Sequence, residues 1–356
     1  MQKITFPGRT GFHRELKKRV DAYFAERDIS KNANWQMYLK TALILALVIT
    51  SYVMLVFFTT NLTMAAVWSF ALAQGFVLVG FNIMHDGNHG SYSRSRAVNK
   101  IMGFTSDIIG GSSMLWQQKH NILHHTYTNI DELDDDIHSN GLLRLSPEQK
   151  WRPWHRFQHI YAFPLYSLLS LSWMLYADFR KFFSGRIGDY ELRKPTKSET
   201  TTFFLAKAIY FGYMLVLPMF FHPIAYVILA YVGVHLILGL TLSIVFQLAH
   251  TVEGNTFPIP DPANGTIENE WAIHQVETTA NFAPRNKLAC WYLGGLNFQI
   301  EHHLFAKVCH VHYPEISKIV KKTCEDFSIN YVSYPSVWKA IIVHLRFLRN
   351  LGTAPS

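Results

Sequence analysis

Four stretches of the chain stay apolar for about 20 residues, the length a helix needs to cross a hydrocarbon core. They cover Leu39–Phe58, Ala65–Met84, Thr202–Phe221 and Pro223–Ala249. The first two are joined by "TTNLT" and the last two by "FHP", and neither connection carries a Lys or Arg. The arm before the first stretch, by contrast, holds Arg14, Lys17, Lys18, Arg19, Arg27 and Lys31, with Lys40 at its border. The positive-inside bias then predicts that both termini and the whole 85–201 region face the cytoplasm. A fifth apolar stretch, 157–179, follows Arg152 and Arg156 and precedes Arg180, Lys181 and Arg186. Both flanks read as cytoplasmic, which predicts an interfacial or shallow re-entrant segment. A full crossing is the alternative. It would leave His250 on the opposite face from His120 and His124.

The pattern therefore predicts an all-α integral membrane protein with four transmembrane helices. Residues 1–38 form a cytoplasmic arm, 39–84 and 202–249 two transmembrane hairpins, and 85–201 and 250–356 the cytoplasmic regions. Downstream, "HYPEISKIVKKTCEDF" has Pro314 near a helix start and apolar residues at helical spacing, and "PSVWKAIIVHLRFLRN" repeats that pattern with Trp338, Arg346 and Arg349. Both are expected to cover the cytoplasmic face and rest against the membrane interface.

Composition agrees with this plan. The chain is 49% hydrophobic and 15% aromatic but 16% charged, against about 25% charged in an ordinary soluble protein. The net charge of +8 comes from residues that flank apolar segments, with no nucleic-acid motif among them, so no nucleic acid is expected as partner. Cys290, Cys309 and Cys324 are odd in number and lack C-x2-C spacing, which argues against a disulfide framework or a thiolate zinc site. The N-terminus has no apolar core of a cleavable signal.

The polar residues at the span ends carry the chemistry. "HNILHH" places His120 and His124 one helical turn apart, with His125 about 100° round the helix from His124. Two side chains are expected to converge on one point while the third aims beside it, an arrangement suited to two neighbouring metal ions. "HDGNH" adds His85 and His89, "QIEHH" adds His302 and His303, and His250 ends the fourth apolar stretch. As a helix of about 42 Å, that stretch exceeds the hydrocarbon core by roughly 10 Å and carries His250 toward the others. With the predicted topology all eight imidazoles reach one side. One ion cannot use eight ligands, so two ions with four or five each are expected, and imidazole ligation leaves iron, zinc, copper and nickel open. Asp86, Glu253, Glu301 and the acidic run "DELDDD" at 131–136 are candidates to orient the rings. His310 and His312 are the nearest rivals for such a role, whereas His222 and His235 read as structural.

The boxes "HDGNHG", "WQQKHNILHHTYTN" and "GGLNFQIEHHLF" match in order and spacing the membrane-bound fatty acid desaturases, and the chain resembles that family from the first span to about residue 325. Gln299, where many such enzymes have a further histidine, resembles the front-end and sphingolipid-type branch. Ala306 departs from that branch, which often has Pro there. The resemblance implies an O2-dependent desaturase that places a cis double bond in an acyl chain carried on coenzyme A or a lipid. It also implies two iron ions held by the eight histidines, with O2 as co-substrate. Gln299 lies three residues before His302 and four before His303, on their helical face, and is expected to ligate or orient metal. Many front-end relatives carry a fused haem domain with a His-Pro-Gly-Gly motif. About 40 residues precede the first span here and that motif is absent, so a separate ferredoxin or cytochrome b-type donor is expected. Arg14, Lys17, Lys18, Lys318, Lys321 and Lys322 would favour an acidic one. The same charge would also suit anionic headgroups or the phosphates of an acyl carrier. Rival readings are a hydroxylase, epoxygenase or ketolase on the same scaffold, a bis-histidine haem carrier and, more remotely, a metal transporter.

Overall fold

A computed structural model describes residues 4–353. Among them, four helices are long and apolar enough to span a membrane: Trp35–Phe58, Leu62–His89, Lys197–Phe220 and Ile224–His250. Three of them begin earlier than their apolar cores, because polar residues cap them. Asn34 accepts from the Met37 amide at 3.1 Å and Asn61 from Met64 at 2.9 Å. Thr196 and Glu199 form a reciprocal capping box at the third span. The second span also runs on past its apolar residues, through a π-helical turn at Val79–Met84, until Gly90 ends it at φ +73°. Among the described residues, strands are confined to two short pairs, Arg186–Ile187 with Tyr190–Glu191 and Asn281–Phe282 with Ser333–Tyr334.

The second and fourth spans form the centre of the membrane core, where Leu72, Phe76, Val234, Leu238 and Leu242 are buried. A second core lies under the N-terminal arm. Helix Phe12–Glu26 buries Phe12, Leu16, Val20 and Phe24 against Ile316 and Val320 of Tyr313–Asp326 and against Phe298 and Leu304. Burying four such side chains contributes on the order of 6–12 kcal/mol before entropy is counted. The arm is thus a lid over the histidine-bearing cap.

The 157–179 region is a helix pair, Pro153–Ser167 and Leu169–Ser184, bent by 54°. Its tip is deeper than a shallow re-entrant segment. Ser170 Oγ lies 2.7 Å from the His235 carbonyl and 3.0 Å from His235 Nδ1, and His235 is about 22 Å along the fourth span from His250. Gly239 permits this approach, since a Cβ there would lie 2.5 Å from the Ser167 carbonyl oxygen. Both arms return toward the histidines: Gln158 reaches the carbonyls of Arg144 and Leu348, and Lys181 Nζ meets Asp135 at 2.6 Å. The buried Lys207–Asp178 pair, 2.7 Å apart, fastens the returning arm to the third span. His235 is held by Ser170 and the Tyr210 hydroxyl, and His222 by the Val56 carbonyl, as expected of structural imidazoles.

Candidate metal centre

Four elements deliver the eight histidines. His85 and His89 end the second span, His250 ends the fourth, and His302 and His303 lie on the short helix Gln299–Leu304. His120 and His124 lie on the π-helical segment Gln117–His124, and His125 follows it. All but His120 are buried.

The rings form two groups. His85, His89, His120 and His302 each place a donor atom within 4.8 Å of the others, and so do His124, His250 and His303. His125 lies between the groups, its Nε2 3.0 Å from that of His302 and 3.2 Å from that of His120, its ring stacked on His303 at 4.3 Å. His120 and His124 do share a helical face, with ring centroids 5.2 Å apart. Their donor atoms also lie within 4.8 Å of each other and of an Asp136 oxygen. His120 meets His85, His89 and His302 on one side, His124 meets His250 and His303 on the other, and His125 lies between them.

The protonation pattern fits metal ions. In the second group every ring turns Nδ1 to an outward acceptor: His124 to Asp134 at 3.0 Å, His303 to the Gln275 amide oxygen at 2.7 Å and His250 to the Thr278 carbonyl at 3.4 Å. A neutral imidazole that donates from Nδ1 has its lone pair on Nε2, directed inward. His303 Nε2 and His89 Nε2 are buried without a hydrogen-bond partner, and so is His85 Nδ1. Burial, then mutual repulsion, holds His120, His125, His302 and His303 well below the usual imidazole pKa. Two imidazole nitrogens at about 3 Å either share a proton or both direct lone pairs at a cation between them. The donor set is compatible with a metal centre.

Of the candidate carboxylates, Asp134 and Asp136 approach His124, at 3.0 and 3.3 Å. Burial opposes charge on His124, but these two carboxylates outweigh it and raise its pKa. Asp86 accepts from His310 Nδ1 at 2.8 Å and lies 4.0 Å from His85. Glu301 instead accepts from Asn281 at 2.7 Å and Tyr331 at 2.9 Å, and burial pushes its carboxyl up to about 7. Glu253 does not reach the site: its carboxylate meets Asn350 at the surface. Sequence reasoning missed Gln275, Thr128 and Tyr313. Gln275 and Thr128 both touch His303, and the Tyr313 hydroxyl lies 3.4 Å from His302 Nδ1. No spacing signal marks them, since they act across the fold. Gln299 is 3% exposed, on the same short helix as His302 and His303, and its amide makes no hydrogen bond among the described residues.

Asp134 is the orienter with the largest expected effect. Asp134→Asn should weaken metal binding by about 10–100-fold, the usual cost of losing the carboxylate behind a ligating ring. Chelator competition on the purified protein measures this, and unchanged affinity would show that Asp134 only shapes its turn.

A narrow apolar cleft of about 40 Å³ leads from His85 between Phe81, Met84, Trp116, Trp173 and Leu242. A wider cavity of about 660 Å³ lies at the other end of the spans, beside Tyr52, Asn61 and His222, and borders none of the eight histidines.

Apolar spans capped by two histidine groups define a membrane oxidoreductase of the histidine-box type. The fatty acid desaturase model matches residues 62–335. The sn-1 linoleoyl-lipid 6-desaturase of Arthrospira platensis is 41% identical over 99% of this chain and 96% of its own length. The enzyme of that name from Synechocystis sp. is 37% identical over 99% of each chain, and the acyl-lipid (8-3)-desaturase of Physcomitrium patens is 40% identical over 96% of this chain and 72% of its own. The chain belongs to the fatty acid desaturase family, and its activity is fatty acyl desaturation.

Proposed function

We propose that the chain desaturates acyl groups esterified to membrane lipids, consuming O2 at a diiron site ligated by His85, His89, His120, His124, His125, His250, His302 and His303. The observation that carries the reading is the inward lone-pair arrangement of two histidine groups above an apolar cleft. Iron bound there would supply the redox chemistry needed to break unactivated acyl C–H bonds. Overall, the acyl chain loses two hydrogens, O2 takes up these with two electrons and two protons, and two waters leave. The protein's part is placement. Asp134 and Gln275 fix the rings of His124 and His303, the aromatic walls of the cleft exclude water, and the Gln299 amide is the remaining donor on the face of His302. Names of the relatives support a lipid-borne acyl group, with the new bond between the carboxyl end and an existing one. Expression in a desaturase-deficient host, with mass-spectrometric mapping of double bonds in each lipid class, tests this. Products heavier by one oxygen would instead favour a hydroxylase.

Gln299→His should keep iron and part of the turnover, whereas Gln299→Leu should lose most of the turnover, because it removes the donor. If the Leu variant keeps full iron content and wild-type turnover, Gln299 lies outside the site.

We further propose that the histidine groups and both termini face the cytoplasm, as the flanking charges suggest, with residues 85–201 on that side and the bent pair returning to it. Cysteine reporters in "TTNLT" and after Phe221 should label from outside, and one near Ser184 should not. External labelling near Ser184 would make the bent pair a fifth crossing. A separate donor, a ferredoxin or a cytochrome b-type protein, would supply electrons at the cytoplasmic face. Charge alone does not select it. Helices Phe12–Glu26 and Tyr313–Asp326 pack together, and Asp21, Glu315 and Asp326 pair with Lys17, Lys318 and Lys322 on them.

A further inference from the structure

We propose that a cavity beside Lys40 binds the anionic headgroup of a bilayer lipid. The cavity measures about 420 Å³, and Trp35, Lys40, Leu43, Trp291, Cys290 and His310 are among its walls. Lys40 is 5% exposed. Its ammonium carries three N–H donors, and one protein partner is present, His310 Nε2 at 3.2 Å. No carboxylate lies within 4.0 Å of it among the described residues. Asp86 is linked to it through the imidazole, since His310 Nδ1 donates to that carboxylate at 2.8 Å. A buried ammonium with unused donors is costly unless an anion meets it.

The surroundings specify an amphiphile. Lys40 lies five residues into the first span, about 7.5 Å below Trp35, so its long side chain starts beneath the interfacial level that Trp35 marks and can reach up to a headgroup. Trp35, Leu39 and Leu43 are 69%, 52% and 55% exposed, so the wall on that side is apolar and faces the acyl chains of the bilayer. The Trp291 ring lies 5.1 Å from the ammonium and closes the other wall. A phosphate-bearing headgroup meets the ammonium while its acyl tails lie along Leu39 and Leu43. A soluble phosphate would leave those apolar surfaces unused.

Native mass spectrometry of the purified full chain, titrated with phosphatidylglycerol and with phosphatidylcholine, tests the proposal without reference to catalysis. The wild type should retain phosphatidylglycerol at least about tenfold more tightly, a difference of about 1.4 kcal/mol. Lys40→Met should bring the two lipids level and Lys40→Arg should keep the preference. Gln36→Glu lies one turn upstream on an exposed position, where it offers Lys40 a competing carboxylate. It should also lower phosphatidylglycerol binding, and it disturbs no buried contact. Equal binding of both lipids by the wild type would overturn the proposal. So would a folded Lys40→Met protein that keeps its preference, a Gln36→Glu protein that binds as the wild type does, or displacement of the lipid by equimolar inorganic phosphate.

Discussion

His303→Ala should abolish desaturation while leaving the protein in the membrane. The ring joins His124 and His250 in one group, stacks on His125, and keeps an unpaired Nε2 directed inward. Gln275 lies behind it, its amide oxygen accepting from His303 Nδ1 and from the Thr128 hydroxyl, a contact that survives loss of the ring. Removing the ring leaves the second group with two imidazoles beside the shared His125, too few to retain an ion against chelation. The spans do not depend on it, because their core of Leu72, Phe76, Leu238 and Leu242 lies below the site. Membrane fractionation should therefore be unchanged, metal per chain should fall by about half or more, and new double bonds should drop to background. His124→Ala should behave alike. A His303→Ala protein with full metal content and normal product would remove the second group from the reaction.

The spans were legible because hydropathy alone decides whether a helix suits a bilayer. Their ends were less so: Asn34, Asn61 and Thr196 add turns that a hydropathy reading assigns to loops. Seven of the eight histidines stand in three local clusters, His250 was reached only through the excess length of the fourth stretch, and the structure gathers all eight. Their division into two groups was not legible, because it depends on which histidines from the other elements meet His120 and which meet His124 in the assembled site. The same holds for the carboxylates. Four aspartates lie within 131–136, and only the folded loop shows that Asp134 faces His124 while Asp135 pairs with Lys119 and Lys181. How far the bend of 157–179 reaches along the fourth span also escaped the sequence. Flanking charges tell which side a segment starts and ends on, whereas depth is set by the Ser170–His235 contact and the small Gly239.

Gly87→Ala should lower turnover by about 100-fold or more, although no functional atom is removed. Gly87 lies between His85 and His89, where the end of the second span crosses helix Arg96–Ile108. A Cβ at Gly87 would lie 2.4 Å from the Gly103 backbone nitrogen and 2.7 Å from the Met102 carbonyl carbon, so the helices must part by about 1 Å. That crossing also aligns the boxes with one another. Asn88 Nδ2 donates to the Gly103 carbonyl at 3.2 Å, its Oδ1 accepts from Gln117 at 2.8 Å, and its carbonyl accepts from Asn121 at 2.9 Å. Separating the helices therefore moves His85 and His89 relative to His120, and a 1 Å misplacement at a reacting centre can cost about 100-fold. The overpacking itself costs about 1–3 kcal/mol, not enough to unfold the spans. Gly212→Ala is the control, since a Cβ there meets nothing within 4 Å, and it should leave turnover unchanged. Helical content by circular dichroism should be the same in both variants. Wild-type turnover in Gly87→Ala would show that the first box tolerates a shift of this size.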